Sequence, residues 1–234
     1  MASRSLRQST EPPAAGVRNL SEEALNLIRD DIMSARLTPG TKLRLDTLAA
    51  RYKIGAVPVR EALNRLTSAG FVEYRSQRGF FVAGLSLDDL EELVKTRIWL
   101  ETKALSESMR NTTPEWEERV VLAYYRLART HRLLGDDDDP VLNREWETLH
   151  HDFHLTLLER CGSSWLLGFC SSMMDQSVRY RNLSVNLNRA RRGDALPEHE
   201  ALMKAVVEGK AATAIQCLET HYRRTLDGLR SLPL

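Results

Sequence analysis

Long apolar runs are missing from this chain of 234 residues. Without a stretch of about 18 such residues there is no candidate membrane-spanning helix, and no leader pattern with an apolar centre opens the sequence. Together these absences predict a cytoplasmic protein with no membrane partner. Cysteine is scarce: Cys161, Cys170 and Cys217 are odd in number and lack paired spacing. That excludes a disulfide framework or a cysteine-based zinc site and fits a reducing compartment. Also missing are a glycine-rich phosphate loop, a dinucleotide fingerprint and a Ser or Cys nucleophile in a recognisable elbow. No solenoid-type repeat is present. Overall charge of one sign is lacking as well, with 33 Lys and Arg against 32 Asp and Glu for a net +1. A 42% hydrophobic content at this length supports two modest domains.

The near-zero net charge hides an asymmetry. From Arg36 to Phe80 there are nine basic residues against three acids, a local surplus of six. Basic charge concentrated in one segment is the footprint of a polyanion-binding surface. The same segment carries a structural pattern. Leu48, Ala49 and Tyr52 share one face of a short helix, and Val59, Ala62, Leu63 and Leu66 repeat at three and four residues in a second. Lys53-Ile54-Gly55 supplies the turn between them, and Pro58 falls in the first turn of the second helix, where a missing N–H is tolerated. After Gly70, the alternating stretches 71–74 and 79–82, joined through Arg75-Ser76-Gln77-Arg78, predict a β-hairpin with a basic tip. A preceding helix from near Ser21 to Arg36, with Leu25, Ile28, Ile32 and Met33 inward, ends at Thr38-Pro39-Gly40. The outline is that of a DNA-reading head.

The expected fold is therefore mainly α: an N-terminal winged helix-turn-helix of three helices plus a β-hairpin wing, then a C-terminal all-helical bundle. Residues 1–18 are expected to be a mobile tail, 19–84 the DNA-binding domain and 85–234 the helical domain. At the boundary, Ser86 followed three residues later by Asp89 resembles a capping box. The expected helices beyond it are 87–109, 114–134, 141–160, 163–188, 197–208 and 211–230. The acidic run Asp136–Asp139 lacks the alternating ligands of a calcium loop and reads as a solvated connection. Trp99, Trp116, Trp146 and Trp165 read as packing residues.

One constellation in the second half carries chemistry. His150 and His154 lie four apart in one expected helix and project from the same face, a spacing that can clasp a metal ion. His151 and Asp152 should point elsewhere. His199 and His221 can close the set if their helices pack against the first. The zinc-protease pattern needs a Glu directly after the first His of the pair, where this chain has His151, so catalysis is not expected.

Several segments resemble a known family. Leu-Thr-Pro-Gly-Thr-Lys-Leu (37–43), Leu-Ala-Ala-Arg-Tyr (48–52), Pro-Val-Arg-Glu-Ala-Leu-Asn-Arg-Leu (58–66) and Arg-Gly-Phe-Phe-Val (78–82) resemble the winged helix-turn-helix of GntR-family bacterial transcription regulators. Arg97-Ile-Trp-Leu-Glu101, Phe153-His154, Glu198-His199-Glu200 and His221 resemble the FCD ligand-binding domain of the FadR-like subfamily. The resemblance implies a homodimeric regulator, with repression the expected sign, that binds a double-stranded DNA operator and responds to a small organic acid held near a divalent metal. In the family an Asp and three His hold that metal. His154, His199 and His221 match the His positions, and His150 stands where the Asp is usual, as in regulators of the carbon-starvation type. A shell of four nitrogens favours zinc or nickel over hard cations.

Arg60 is the first candidate for a base or phosphate contact, since it lies early on the open side of the recognition helix; an ion pair with Glu61 is the alternative. Arg44, Arg65 and Arg78 are phosphate candidates, with Gly79 beside Arg78 in the wing. Where the family usually has Ser-Arg-Thr this chain has Gly55-Ala56-Val57, so a base-reading arginine is lost, and Ala56 or Val57 can instead meet a thymine methyl. Arg97, and after it Arg179, are candidates for the acid's carboxylate, which a guanidinium fork suits. Because one head covers a half-site, the operator is expected to be an inverted repeat. Two other readings stay open: a metal-dependent hydrolase or isomerase with an accessory DNA-binding head, and a ligand-free architectural DNA binder.

Overall fold

The computed structural model describes residues 15–135, 141–187 and 195–230. The chain divides into two compact units. One holds the residues up to Ile32 together with Leu37–Ala83, and the other holds Met33–Arg36 together with the residues from Gly84 onward.

The first unit is built from helix α1 (Ala15–Met33), strand β1 (Lys42–Leu43), helices α2 (Leu45–Tyr52) and α3 (Ala56–Ser68), and strands β2 (Val72–Arg75) and β3 (Gly79–Val82). Helix α1 begins six residues before the expected Ser21; residues 1–14 of the expected tail lie outside the described residues. Ala24, Ile28 and Ile32 of α1 are buried along with Leu48 of α2 and Val59, Ala62, Leu63 and Leu66 of α3, as the helical spacing requires. The Ser21 hydroxyl donates to Glu61, and Arg65 pairs with Glu22 at 2.6 Å, tying α1 to α3. Between α2 and α3 the left-handed position is taken by Lys53 (φ 56°), not by Gly55, whose φ of −60° is ordinary. The wing is a three-stranded antiparallel sheet in the order β1-β3-β2, one strand more than the expected hairpin. Its register runs from Val72 opposite Val82 to Arg75 opposite Gly79, and the tip narrows to Ser76-Gln77-Arg78. Gln77 (φ 60°) and Gly79 (φ 89°) take left-handed backbone there, which a glycine adopts without strain.

In the second unit α4 (Leu87–Arg110), α5 (Pro114–Ala128), α6 (Arg144–Leu158), α7 (Ser164–Leu187), α8 (Leu196–Val207) and α9 (Ala211–Leu229) form the bundle. It is not purely helical. Strands β4 (Leu133–Leu134) and β5 (Val141–Leu142) pair antiparallel, so α5 stops at Ala128 rather than at the expected 134. The acidic run Asp136–Asp139 lies outside the described residues. Helix starts are set locally: Ser86 accepts from the Asp89 N–H at 3.1 Å, Thr113 from Trp116 at 3.3 Å and Asn143 from Glu145 at 3.0 Å. The Asp89 carboxylate does not complete a capping box; it accepts the Tyr180 hydroxyl from α7. Helix α4 packs on α7 and α9, α5 on α6, and α8 on α9. Leu105, Trp116, Phe153, Leu157, Leu202 and Leu218 belong to the shared core. The packing role expected of all four tryptophans fails for two of them: Trp99 and Trp165 are 63% and 79% exposed. All three cysteines are free.

Candidate metal centre and nucleic-acid face

The open side of α3 carries the candidate reading residues. Val57, Arg60 and Asn64 recur at three and four residues and are all exposed, Val57 by 66%. Arg44 at the start of α2 and Arg78 at the wing tip are exposed as well. Among the described residues Arg44, Arg60 and Arg78 make no ion pair, so their charge is available to a polyanion. The alternative partner of Arg60 is occupied, since Glu61 accepts from Ser21. Arg65 is the exception, held at 2.6 Å by Glu22. Asn64 escaped the sequence reading, although its place seven residues after Val57 puts it on the same face; an exposed amide there suits an adenine edge. Gly79 shapes the wing tip by its backbone alone.

In the second unit the four histidines converge. His150 and His154 descend from one face of α6, His199 comes from the first turn of α8 and His221 from the middle of α9. All are buried, with exposures of 5%, 1%, 1% and 5%. One nitrogen from each lies within 4.8 Å of every other. The Nε2 atoms of His154 and His199 face each other at 3.4 Å. Four nitrogens at about 2.0–2.1 Å from a zinc ion would stand about 3.3 Å apart, which the His154–His199 separation matches, while the set as a whole spans up to 4.8 Å and would draw in around an ion. His151 turns away, toward Ser171 at 3.3 Å.

Neighbouring groups fix the tautomers. Tyr222 gives its one hydroxyl proton to Glu101, so its oxygen can only accept from His154 Nδ1 at 3.3 Å. His221 Nδ1 donates to Glu198 at 2.8 Å, and Glu198 also takes Arg224 at 2.9 Å. In both cases the Nε2 lone pair is left for the cluster, the arrangement that carboxylate and hydroxyl partners give to metal-bound imidazoles. His199 Nδ1 is buried with no hydrogen-bond partner in the chain. The His154 Nε2 lone pair faces His199 Nε2, and His199 Nδ1 goes unserved by the chain; lone pairs converging in this way are what a bound cation would answer, and the donor set fits one.

Burial, then mutual repulsion with the other histidines, pushes His150 and His154 well below the usual imidazole range. His199 falls to about 3 by burial and then by His221. Burial also lowers His221, against the pull of Glu198. All four are therefore neutral near pH 7, which is the metal-binding form.

Cationic side chains surround this cluster. Arg97 of α4 is buried, pairs with Glu101 at 2.7 Å, donates to the Ser177 hydroxyl at 3.0 Å and lies over the Tyr222 ring at 4.2 Å. Burial disfavours its charge, but Glu101 outweighs that and raises its pKa. Arg181 also donates to Ser177 at 3.0 Å, pairs with Glu147 at 2.9 Å and depresses the pKa of each of the four histidines. Arg179, the second expected acid-binding residue, is not brought to the cluster: it donates to Gln176 and to the Gly84 carbonyl. Two residues along a helix turn a side chain by about 200°, so a polar stretch alone does not tell which arginine faces inward. Trp146 stacks on His150 at 4.7 Å and 21°, and Arg132 lies over the Trp146 ring at 5.1 Å.

Comparison with known proteins agrees with both halves. Residues 20–82 match the family described as bacterial regulatory proteins, gntR family, and residues 92–224 match the FCD domain. The chain is 37% identical over 236 residues to an uncharacterized HTH-type transcriptional regulator, BphR, of Paraburkholderia xenovorans, covering 99% of this chain and 94% of that one. It is 28% identical over 197 residues to the HTH-type transcriptional repressor GlaR of Escherichia coli, covering 83% and 88%. Among solved structures, E. coli McbR/YncC shares the fold with a TM-score of 0.72 at 19% identity, over 90% of this chain and 97% of that one.

Proposed function

Starting from a chain that belongs to the gntR family of bacterial regulatory proteins and carries an FCD domain, we propose a metal-assisted, acid-responsive repressor that binds an inverted-repeat operator as a homodimer. The family and relatives make the chain a DNA-binding transcription regulator and not an enzyme. Among the described residues no helix is long and apolar enough to cross a membrane.

The observation that carries the acid-and-metal reading is the buried cluster of four neutral imidazoles with one nitrogen each inside 4.8 Å. His150, His154, His199 and His221 would hold a divalent ion, with zinc or nickel favoured by an all-nitrogen shell. Bound there, the ion supplies a Lewis-acidic positive charge to which a carboxylate can bind. Arg97 and Arg181, converging on Ser177, are the guanidinium groups placed to hold that acid; the position of Arg179 supports it less. On DNA, Arg60, Val57 and Asn64 meet base edges from α3, while Arg44, Arg65, Arg78 and the Gly79 backbone position the head on phosphates. For the acid to switch the protein it must bind one arrangement of the dimer more tightly than the other.

Capture of genomic fragments by the purified, zinc-loaded protein at near-physiological salt tests this reading. It predicts a small set of inverted repeats whose recovery falls when the right acid is added. Recovery of unrelated fragments that all wash off as salt rises would leave only nonspecific phosphate binding.

A further inference from the structure

Helix α7 makes two sets of polar contacts from one short stretch. Ser177 and Arg181, one turn apart, serve the histidine side: the Ser177 hydroxyl accepts from Arg97 and from Arg181 at 3.0 Å each, and Arg181 pairs with Glu147 at 2.9 Å. Glu147 lies three residues before His150 and seven before His154, on the same face of α6. The face that presents two of the four histidines is therefore bonded directly to α7.

Arg179 and Asn182 serve the points where the chain passes between the two units. The chain leaves the head after Ile32, returns to it at Leu37 and leaves it again after Ala83, so Met33 and Gly84 are the first residues of the second unit at two of these crossings. Asn182 Nδ2 donates to the Met33 carbonyl at 2.9 Å, and Arg179 Nη2 donates to the Gly84 carbonyl at 3.3 Å. Tyr180 adds a third hold, on Asp89 in the first turn of α4. Asn182 and Arg179 are both buried, where an exchange of such a bond for one to water is disfavoured. Met33 ends α1, where a carbonyl lacks an intrahelical donor. Two residues later Ala35 takes left-handed backbone (φ 56°), which a residue with a side chain keeps only where its surroundings hold it. Residues 177–182 span less than two turns of one hydrogen-bonded helix, so a displacement of Ser177 and Arg181 is shared by Arg179 and Asn182.

We propose that Asn182 and Arg179 are positioning residues that carry occupancy of the histidine cluster to these two crossings. An ion drawn in by His150 and His154 shifts the α6 face whose Glu147 holds Arg181; α7 follows, and the Met33 and Gly84 carbonyls follow α7. This rests on the metal reading above and supplies the route by which that site reaches the residues bordering the head.

Amide hydrogen exchange of the full chain with and without zinc tests it. Zinc should slow exchange in α6, α8 and α9 and change it by at least about threefold at residues 33–37 and 84–89, with a smaller factor in α5, which makes none of these bonds. Asn182→Leu should abolish the zinc response at 33–37 alone and Arg179→Met that at 84–89 alone, while zinc affinity by calorimetry moves by less than about twofold in either. A merely structural hold would not separate the two crossings in this way. Should circular dichroism show one variant unfolded, the other decides. Slowing in α6, α8 and α9 with no response at either crossing in the parent, an undiminished response in a folded variant, or an equal factor in α5 would overturn the positioning role and leave the metal reading standing. Absence of any zinc effect would overturn both.

Discussion

Arg44, Arg60 and Arg78 in the head stand in solvent without an ion pair among the described residues, whereas Arg97 and Arg181 in the helical unit are tucked against Glu101 and Glu147. The same side chain is used in two ways. An exposed guanidinium loses little by meeting a phosphate, and each phosphate it neutralises releases counterions, so the head's affinity is adjustable by salt. A buried guanidinium has already lost its water and depends on the groups around it, so it can select one ligand geometry, at the cost of instability when a partner is removed. The head is therefore suited to searching and the bundle to discriminating.

The sharpest way to break this contrast is to remove one partner of a buried pair. Glu101→Ala strands the Arg97 charge and should destabilise the helical unit by about 3–5 kcal/mol, read by denaturant unfolding. Replacing both partners, Arg97→Met with Glu101→Leu, should recover most of that loss. If the single substitution cost no more than an exposed pair does, Arg97 would not be buried as described.

Protonation comes next. The metal-free protein keeps its histidines neutral when folded, with His199 at about 3, while unfolded histidines titrate near 6.5. Below about pH 6.5 the unfolded chain therefore takes up protons that the folded one refuses. Stability is fully present above that pH and falls as the pH drops toward 3, by up to about 1.4 kcal/mol per pH unit for each histidine that stays neutral. Zinc at a hundredfold excess over its dissociation constant should add about 2.7 kcal/mol at pH 7, and this gain should disappear on acidification or with chelator. A pH-independent unfolding midpoint between 6.5 and 4.5 would contradict the burial of the cluster.

Changes in the head should leave stability almost untouched and act on DNA. Arg60→Ala is expected to weaken a captured site by about tenfold to a hundredfold, with relaxed preference at one base position, measured by fluorescence anisotropy. Arg65→Ala, which breaks only an exposed pair with Glu22, should change stability by less than about 1 kcal/mol. If Arg65 also touches phosphate, the slope of log affinity against log salt should become shallower by about one.

Much of the head was legible because local rules determine it: helical spacing put Val59, Ala62, Leu63 and Leu66 inward, and strand alternation located the wing. The short β1 strand was not, since two residues give no alternation to read. The turn was placed at Lys53-Ile54-Gly55, but that Lys53 takes its left-handed position is set by where α2 ends. The histidine pair on α6 was visible from a spacing of four, but bringing His199 and His221 to it depends on how α6, α8 and α9 pack, which periodicity within one helix cannot state. The same limit hides Arg181 behind Arg179. Trp99 and Trp165 show the converse, since a large apolar side chain does not by itself prove burial.

The central claim is tested most directly by the affinity of the zinc-loaded full chain for a captured genomic site at fixed salt, measured by anisotropy as small organic acids are titrated. Affinity should fall by at least about tenfold in the parent protein and stay constant when Arg97→Met is combined with Glu101→Leu, which removes the guanidinium without stranding its buried partner. Unchanged affinity in the parent at saturating acid, with binding of that acid confirmed by calorimetry, would contradict it.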